Sequence, residues 1–171
     1  MEDPGMQTPS LRPRHRLSKE EQTARRFDEA LAYFKRITSK VTSRGNPFLQ
    51  QHLATIETVG FSEGIPAEGI DILLKLALSG NLVENANTHI LKSLVPAAEI
   101  FENTLISAVS LFCTGKATTN VQVLFLRWLI SVSDLVSLKE VLSPLYNFFF
   151  CLLQDDTLVR TPIFFFFFFF M

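Results

Sequence analysis

The sequence predicts an all-α protein built as a stack of helical hairpins, that is, an α-solenoid. Residues 69–156 are almost continuously apolar, and their apolar positions recur three and four residues apart, which is the spacing of a helix face. Glycine and proline residues divide this stretch into short segments. Because no segment alternates apolar and polar residues with the period of a half-buried strand, we expect helices alone.

Capping signals place the helix boundaries. Ser18 and Glu21 have the spacing of a capping box, and Asn46 is a cap followed by Pro47, the residue type favoured at the first helical position. The predicted helices cover residues 18–41, 47–59, 67–79, 86–95, 102–114, 120–133 and 137–154. We expect the last of them to be kinked or restarted at Pro144, since proline interrupts a helix interior.

An internal repeat favours stacked hairpins over other all-α folds. Aligning Gly80 on Gly115, two expected left-handed C-caps, superposes two apolar segments at an offset of 35 residues. Helical hairpin repeats have about this length. The alternative is that any two buried helices ending at glycine align equally well. The apolar residues that coincide are at positions 70/105, 73/108, 74/109, 76/111, 77/112 and 78/113.

Three regions are expected along the chain. Residues 1–17 are basic and proline-rich without an apolar period, which predicts a disordered arm, and residues 18–158 form the helical-repeat domain. Residues 159–171 include seven consecutive phenylalanines, an aggregation hazard that no single helix face can bury. We interpret this tail as aberrant, the translation of a thymidine run beyond a mis-assigned exon end. The alternative, a membrane anchor, is too short to span a bilayer.

The residue inventory argues against an enzyme. His15 lies in the arm, His52 and His89 lie on separate predicted helices, and neither Cys113 nor Cys151 has a neighbouring histidine. The sequence contains no glycine-rich phosphate loop. We therefore expect no catalytic residue, no metal and no cofactor. In the absence of a signal peptide and of a spanning apolar run, we also expect a soluble intracellular protein without membrane contact.

The charge is unevenly distributed and leaves a second function open. Residues 1–44 hold ten Lys/Arg against six Asp/Glu, whereas the remainder holds six against eleven. The excess of basic residues in segment 1–44 therefore suggests an alternative function, that of a nucleic-acid-binding helical module. The acidic residues of the same segment lower its net positive charge. Its basic candidates are Arg12, Arg14, Arg16, Lys19, Arg25 and Arg26.

The pair Arg127-Trp128 admits two interpretations. In the first, Trp128 packs in the core while Arg127 extends to the surface. In the second, Arg127 forms a buried or interfacial ion pair with a carboxylate such as Asp134 or Asp155. Both interpretations remain open at this point.

Three segments of the chain resemble a known family. They read NTHILK (87–92), FLRWL (125–129) and FFFCLLQDD (148–156), in the same order and at about the same spacing as in the N-terminal region of the centromere protein I family. The resemblance extends over residues 57–158, is loose over the first 45 residues, and ends at Val159, where the sequence departs from the family.

The resemblance implies a non-enzymatic scaffold subunit of the inner kinetochore in the nucleus, with HEAT-like helical repeats. It implies assembly with centromere proteins H, K and M, an indirect association with centromeric chromatin, and support of kinetochore assembly and chromosome segregation. The matched positions are the candidate partner-binding residues: Arg127, Trp128, Phe148, Phe149, Phe150, Asp155 and Asp156.

A first prediction concerns solubility. A solenoid that stops short exposes the face that the next repeat covers, here residues 145–153, and each buried Phe or Leu is worth ~1.5–3 kcal/mol. We expect the isolated chain to aggregate or to need a partner, and deletion of residues 162–171 to raise the soluble fraction, measured after centrifugation, without making the chain fully soluble. Purification of the full chain as a stable monomer with a cooperative thermal transition would contradict this.

Overall fold

Six α-helices make up the part of the chain that the computed structural model describes, residues 18–42 and 46–135, and no strand occurs there. The all-α prediction is thus confirmed for these residues. The predicted arm (1–17), seventh helix (137–154) and tail (159–171) lie outside them. The helices are α1 (Lys19–Lys35), α2 (Pro47–Ser62), α3 (Ala67–Leu78), α4 (Glu84–Ser93), α5 (Glu102–Cys113) and α6 (Thr119–Ser131), followed by a 3-10 turn at Ser133–Leu135.

The predicted caps are present. The Ser18 amide donates to Glu21 Oε2 at 2.7 Å and the Glu21 amide donates to Ser18 Oγ at 3.1 Å, which completes the capping box. Asn46 Oδ1 accepts from the Leu49 amide at 3.0 Å at the start of α2. The glycines that follow α3 and α5 have φ angles of 75° and 66°, in the left-handed region.

The first predicted helix is too long, because α1 ends at Lys35 rather than near Val41. The apolar spacing continues through Ile37, but the connector after α1 is held by a tertiary contact instead. The Val41 amide donates to the Asn81 carbonyl oxygen at 2.8 Å, and Val41 forms an isolated parallel bridge with Leu82. A hydrogen bond to a distant connector therefore replaces the helical bond expected from the pattern.

The helices form two layers, as in an α-solenoid. In one layer α1 packs on α3 and α3 packs on α5, while in the other α2 packs on α4 and α4 on α6. Within hairpins, α1 packs on α2 and α3 on α4, and rings of α5 and α6 meet at Phe112 and Phe125, whose centroids are 5.7 Å apart. A contiguous apolar core lies along the row of helices, with Phe34, Leu49 and Ile90 among its fully buried side chains.

The structure supports the repeat interpretation of the 35-residue offset. Helices α3 and α5 begin at Ala67 and Glu102, and helices α4 and α6 begin at Glu84 and Thr119, each pair 35 residues apart. Equivalent helices therefore occupy equivalent places in successive hairpins, which chance alignment of two capped helices does not explain.

The second prediction concerns Gly60, where α2 approaches the end of α4. A Cβ at this position would overlap the Ser93 carbonyl oxygen, and Gly60 is buried. Although Gly→Ala in a helix normally stabilises by roughly 1 kcal/mol, we expect Gly60→Ala to lower the free energy of unfolding by about 1–3 kcal/mol, because the helices must separate.

Urea denaturation followed by circular dichroism measures this change. The matched control is Thr58→Ala, an exposed position on the same helix, for which we expect a change within about 0.5 kcal/mol. A Gly60→Ala protein as stable as the parent would show that the close approach of α2 and α4 is not required.

Candidate partner-binding surface

One edge of the stack is formed by the chain segments that lead from one hairpin to the next. We call residues 61–66, 94–101 and 132–135 the connector edge. Backbone hydrogen bonds join these segments: the Ile65 amide donates to the Val95 carbonyl oxygen at 2.6 Å, and the Ile100 amide donates to that of Leu135 at 3.2 Å. The Ile65 carbonyl oxygen in turn accepts from the Ala97 amide at 3.0 Å. The three segments are therefore neighbours in space.

Exposed apolar side chains collect on the connector edge. Of the six large hydrophobic residues that are exposed in the described part of the chain, four lie here: Phe61, Val95, Phe101 and Leu135. The Phe61 and Phe101 side chains are 65% and 67% exposed. Single exposed apolar residues are ordinary on protein surfaces, but several on adjacent segments are typical of a binding surface.

The charges of the connector edge are of one sign. Glu63, Glu99 and Asp134 are exposed on it, and its three segments contain no lysine or arginine. The edge thus combines apolar anchors with acidic side chains, an arrangement that complements a partner segment with apolar and basic residues.

Sequence reasoning did not select these residues. Phe61 lies in the last turn of α2, directly after Gly60, and Phe101 is the N-cap of α5, directly before Glu102. The available signal was therefore a large apolar residue at a turn, where a helix face no longer determines which side chains are buried. That signal alone does not distinguish an exposed phenylalanine from one that caps the core.

The structure separates the two members of the Arg127-Trp128 pair. Trp128 is buried, its Nε1 donates to the Leu94 carbonyl oxygen at 2.7 Å, and its ring stacks on Phe125 with centroids 6.2 Å apart. Arg127 is exposed, and among the described residues no ion pair joins it to a carboxylate, Asp134 included. Trp128 therefore packs in the core as in the first interpretation, while Asp155 of the second lies outside the described residues.

Trp128 and Arg127 differ in whether a partner can contact them. The burial of Trp128 favours a structural role, in which its indole attaches α6 to the connector after α4. The exposed Arg127 remains available to a partner, and its role stays a prediction. The other candidates, Phe148, Phe149, Phe150, Asp155 and Asp156, lie outside the described residues.

Within the described residues, the side-chain contacts of His52 and His89 are to residues other than Cys113. The His52 ring lies against Tyr33 with centroids 4.5 Å apart, and His89 Nε2 lies 3.2 Å from Glu57 Oε2 on the neighbouring helix α2. Desolvation raises the pKa of the Cys113 thiol, which favours the protonated form over the thiolate that acts as a nucleophile.

Neither a cluster of metal-ligating side chains nor a membrane-spanning helix occurs within residues 18–42 and 46–135. In these ranges no three His, Cys, Asp or Glu side chains are grouped so as to hold a metal ion. The described helices also include none with the length and hydropathy needed to cross a membrane.

Comparison with known proteins assigns the family. The family model described as CENP-I: Mis6 matches residues 10–169, most of the chain. The chain belongs to the CENP-I family. Centromere protein I of Gallus gallus is 45% identical over 132 residues, which cover 77% of this chain and 18% of the relative. The protein of the same name from Rattus norvegicus is 40% identical over 139 residues, 81% of this chain and 19% of the relative.

The comparisons confirm the resemblance and extend it. The matched range continues beyond residues 57–158 toward both termini, and a third relative, from Mus musculus, is 43% identical over 129 residues. These CENP-I relatives indicate a centromeric and kinetochore location in the nucleus. The chain spans less than a fifth of the length of the relatives it matches.

The third prediction tests the roles of Trp128 and Arg127. In Trp128→Phe the Leu94 carbonyl oxygen loses its indole donor, and an unsatisfied buried polar group costs about 1–3 kcal/mol. We expect a loss of this size in the free energy of unfolding, measured by urea denaturation. Arg127→Ala is the adjacent control, with an expected change within about 0.5 kcal/mol. Equal effects of the two substitutions would contradict a structural role specific to Trp128.

Proposed function

We propose that this CENP-I family chain is a non-enzymatic scaffold segment of the inner kinetochore that binds other centromere proteins and supports kinetochore assembly and chromosome segregation. Family membership supports the setting, a centromere and kinetochore protein. The observation that supports binding in particular is the connector edge, where exposed apolar side chains lie on neighbouring backbone segments with acidic residues beside them.

The scaffold role agrees with how a solenoid presents its surface. Each hairpin contributes one connector to the edge, so the binding surface lengthens with the number of repeats. The connectors are linked to each other by backbone hydrogen bonds. A partner therefore meets a surface whose backbone is already ordered, and less conformational entropy is lost on binding.

The proposed partners are centromere proteins H, K and M. A partner segment that complements the connector edge has apolar residues that cover Phe61 and Phe101. It also has lysine or arginine residues that face the acidic side chains. An indirect association with centromeric chromatin then follows through the assembled complex. A direct phosphate contact by Arg25 would compete with Glu29, whose Oε1 lies 3.2 Å from Arg25 Nε.

The fourth prediction tests the connector edge as the binding surface. Phe61→Asp combined with Phe101→Asp removes two apolar anchors, each worth ~1.5–3 kcal/mol when buried, and about 1.4 kcal/mol corresponds to a tenfold change in Kd. We expect the Kd for a purified complex of centromere proteins H, K and M, measured by titration calorimetry, to rise at least about tenfold.

Phe48→Asp is the matched control. Phe48 is 65% exposed, as is Phe61, but lies at the opposite end of α2, 13 residues away, or about 20 Å along the helix. An equal loss of affinity in this variant would place the interface elsewhere. Absence of binding by the parent chain, together with salt-dependent DNA binding lost on deletion of residues 1–44, would favour the nucleic-acid-binding alternative.

A further inference from the structure

The turns inside the three hairpins lie at the edge of the stack opposite the connector edge. We call residues 36–42, 79–83 and 114–118 the turn edge. The Val41 amide donates to the Asn81 carbonyl oxygen, and a Cβ at Gly80 would lie 3.2 Å from the Lys116 Cβ. The three turns are therefore neighbours in space.

The turn edge and the connector edge carry charges of opposite sign. The charged residues of the turn edge are exposed and all basic, namely Arg36, Lys40 and Lys116. The connector edge contains acidic residues and no lysine or arginine. Helix α3, with 12 residues, separates the two edges by about 18 Å. This distance exceeds the screening length of ~8 Å at physiological ionic strength, so a change of charge at one edge leaves the other nearly unaffected.

Two hydroxyl residues lie among basic residues in the first turn. The segment from Lys35 to Lys40 reads KRITSK, and its Thr38 and Ser39 are both exposed. Lys35 and Arg36 precede Thr38 by three and two positions, and Lys40 follows it by two. Thr38 thus has basic residues on both sides, and no acidic residue lies within eight positions of it along the chain.

The backbone of residues 38–40 is open to an incoming enzyme. The Ile37 amide donates to the Phe34 carbonyl oxygen at 3.1 Å, and the Val41 amide donates to that of Asn81 at 2.8 Å. Between these two attachments, the amides of residues 38–40 donate to no described residue. A short segment that is fixed at its ends and solvated between them opens at a low cost in free energy.

The Thr38 hydroxyl differs from exposed hydroxyls elsewhere in the described chain. Several of those donate to a carbonyl oxygen three or four residues earlier, at 2.6–3.0 Å, and belong to Thr23, Thr55, Thr58, Ser110 and Thr114. Each of these lies on a helix or at its C-cap, where the backbone is not extended. The Thr38 hydroxyl lies outside the helices and has no partner among the described residues. It is therefore accessible to an enzyme.

We propose that Thr38 is a phosphorylation site for a protein kinase with an acidic substrate cleft, with ATP as the phosphoryl donor. In an extended substrate, alternate residues share a face, so Arg36, Thr38 and Lys40 follow one another at intervals of about 6.6 Å. Acidic side chains of the cleft pair with the two flanking cations and align the hydroxyl between them. This inference does not depend on the proposed function.

The transfer requires the Thr38 hydroxyl and ATP alone as reactants. Thr38 Oγ1 attacks the γ-phosphorus, and the new O–P bond forms as the bond between the γ-phosphorus and the bridging oxygen breaks. ADP leaves with the electron pair of that bond. The hydroxyl proton passes to the catalytic aspartate of the kinase.

Phosphorylation changes the turn edge electrostatically. The three exposed cations give this edge a charge of +3, and a phosphate group adds about −1.5 to −2 at pH 7. The positive charge of the turn edge is therefore reduced by half or more, whereas the acidic connector edge is unchanged. The modification thus weakens the attraction of the turn edge for an acidic partner without altering the opposite edge.

Phosphate transfer to the full 171-residue chain tests the site. The kinase used is the catalytic subunit of cAMP-dependent protein kinase, which prefers two basic residues before the acceptor, with ATP labelled at the γ-phosphate. Cleavage after glutamate releases residues 30–57, and tandem mass spectrometry locates the phosphate. We expect it on Thr38, and we expect Thr38→Ala to lower the initial rate of incorporation into this fragment at least about tenfold.

Two substitutions at the exposed Arg36 test how the site is recognised. Arg36→Ala removes a cation that pairs with the cleft and should lower kcat/KM at least about tenfold, whereas Arg36→Lys keeps the charge and should stay within about threefold of the parent. Circular dichroism establishes that both variants have the helicity of the parent chain.

Thr114 is the control within the same chain. It also lies on the turn edge, is exposed, and has Lys116 two positions later, as Thr38 has Lys40. However, its hydroxyl donates to the Leu111 carbonyl oxygen at 2.6 Å, and the three residues before it are apolar residues of α5. We expect no phosphate on Thr114.

Several results overturn the proposal. Phosphate on Ser39 in place of Thr38 means that the acceptor is wrong. Transfer to Thr114 at a comparable rate means that neither the basic neighbours nor the unpaired hydroxyl selects the site. An unchanged rate in Arg36→Ala means that charge does not recognise it. A rate roughly a hundredfold or more below that of a synthetic peptide of residues 33–42 means that the segment must unfold before it reacts.

Discussion

Helices α3 and α4 bury their apolar surfaces against the hairpins on either side, and this nearest-neighbour packing governs the rest of the described structure. Helix α3 illustrates it, with Gly69 against Phe27 and Leu31 of α1 and Leu78 buried on the opposite flank. In such a row, stability is spread over successive interfaces and does not come from one closed core. A helix with a neighbour on one side only, as α5 is within the described residues, keeps an apolar flank available.

The two edges of the stack have different consequences for function. At one edge the turn after α3 approaches the turn after α5 so closely that a Cβ at Gly80 would lie 2.9 Å from the Lys116 carbonyl oxygen. At the connector edge, backbone hydrogen bonds satisfy the groups that helices leave unpaired, so the connectors are fixed largely by their main chain. Side chains such as Phe61 and Phe101 are consequently free to face outward. An ordered backbone under exposed apolar side chains agrees with the scaffold role proposed for this chain.

Only part of the candidate surface was accessible to sequence reasoning. The resemblance selected Arg127 and Trp128 together because they are adjacent in a matched segment, but neighbours on a helix point about 100° apart. The structure consequently places Trp128 in the core and Arg127 at the surface. Phe61 and Phe101 were missed for a different reason. Both lie at the end of a helix, where helical spacing does not determine which side chains are buried, and the structure shows them exposed.

The sequence by itself determined the helical class, the caps at Ser18 and Asn46, the glycine ends of α3 and α5, and the 35-residue repeat. These features depend on hydrogen bonds and side-chain periods within a few residues along the chain, so a single sequence contains them. Tertiary structure decided the early end of α1, the burial of Trp128 and the exposure of the connector edge. Each of these depends on a contact between residues 30 or more positions apart, such as Val41 with Asn81 and Trp128 with Leu94. The spacing of apolar residues along the chain does not indicate which distant residues come into contact.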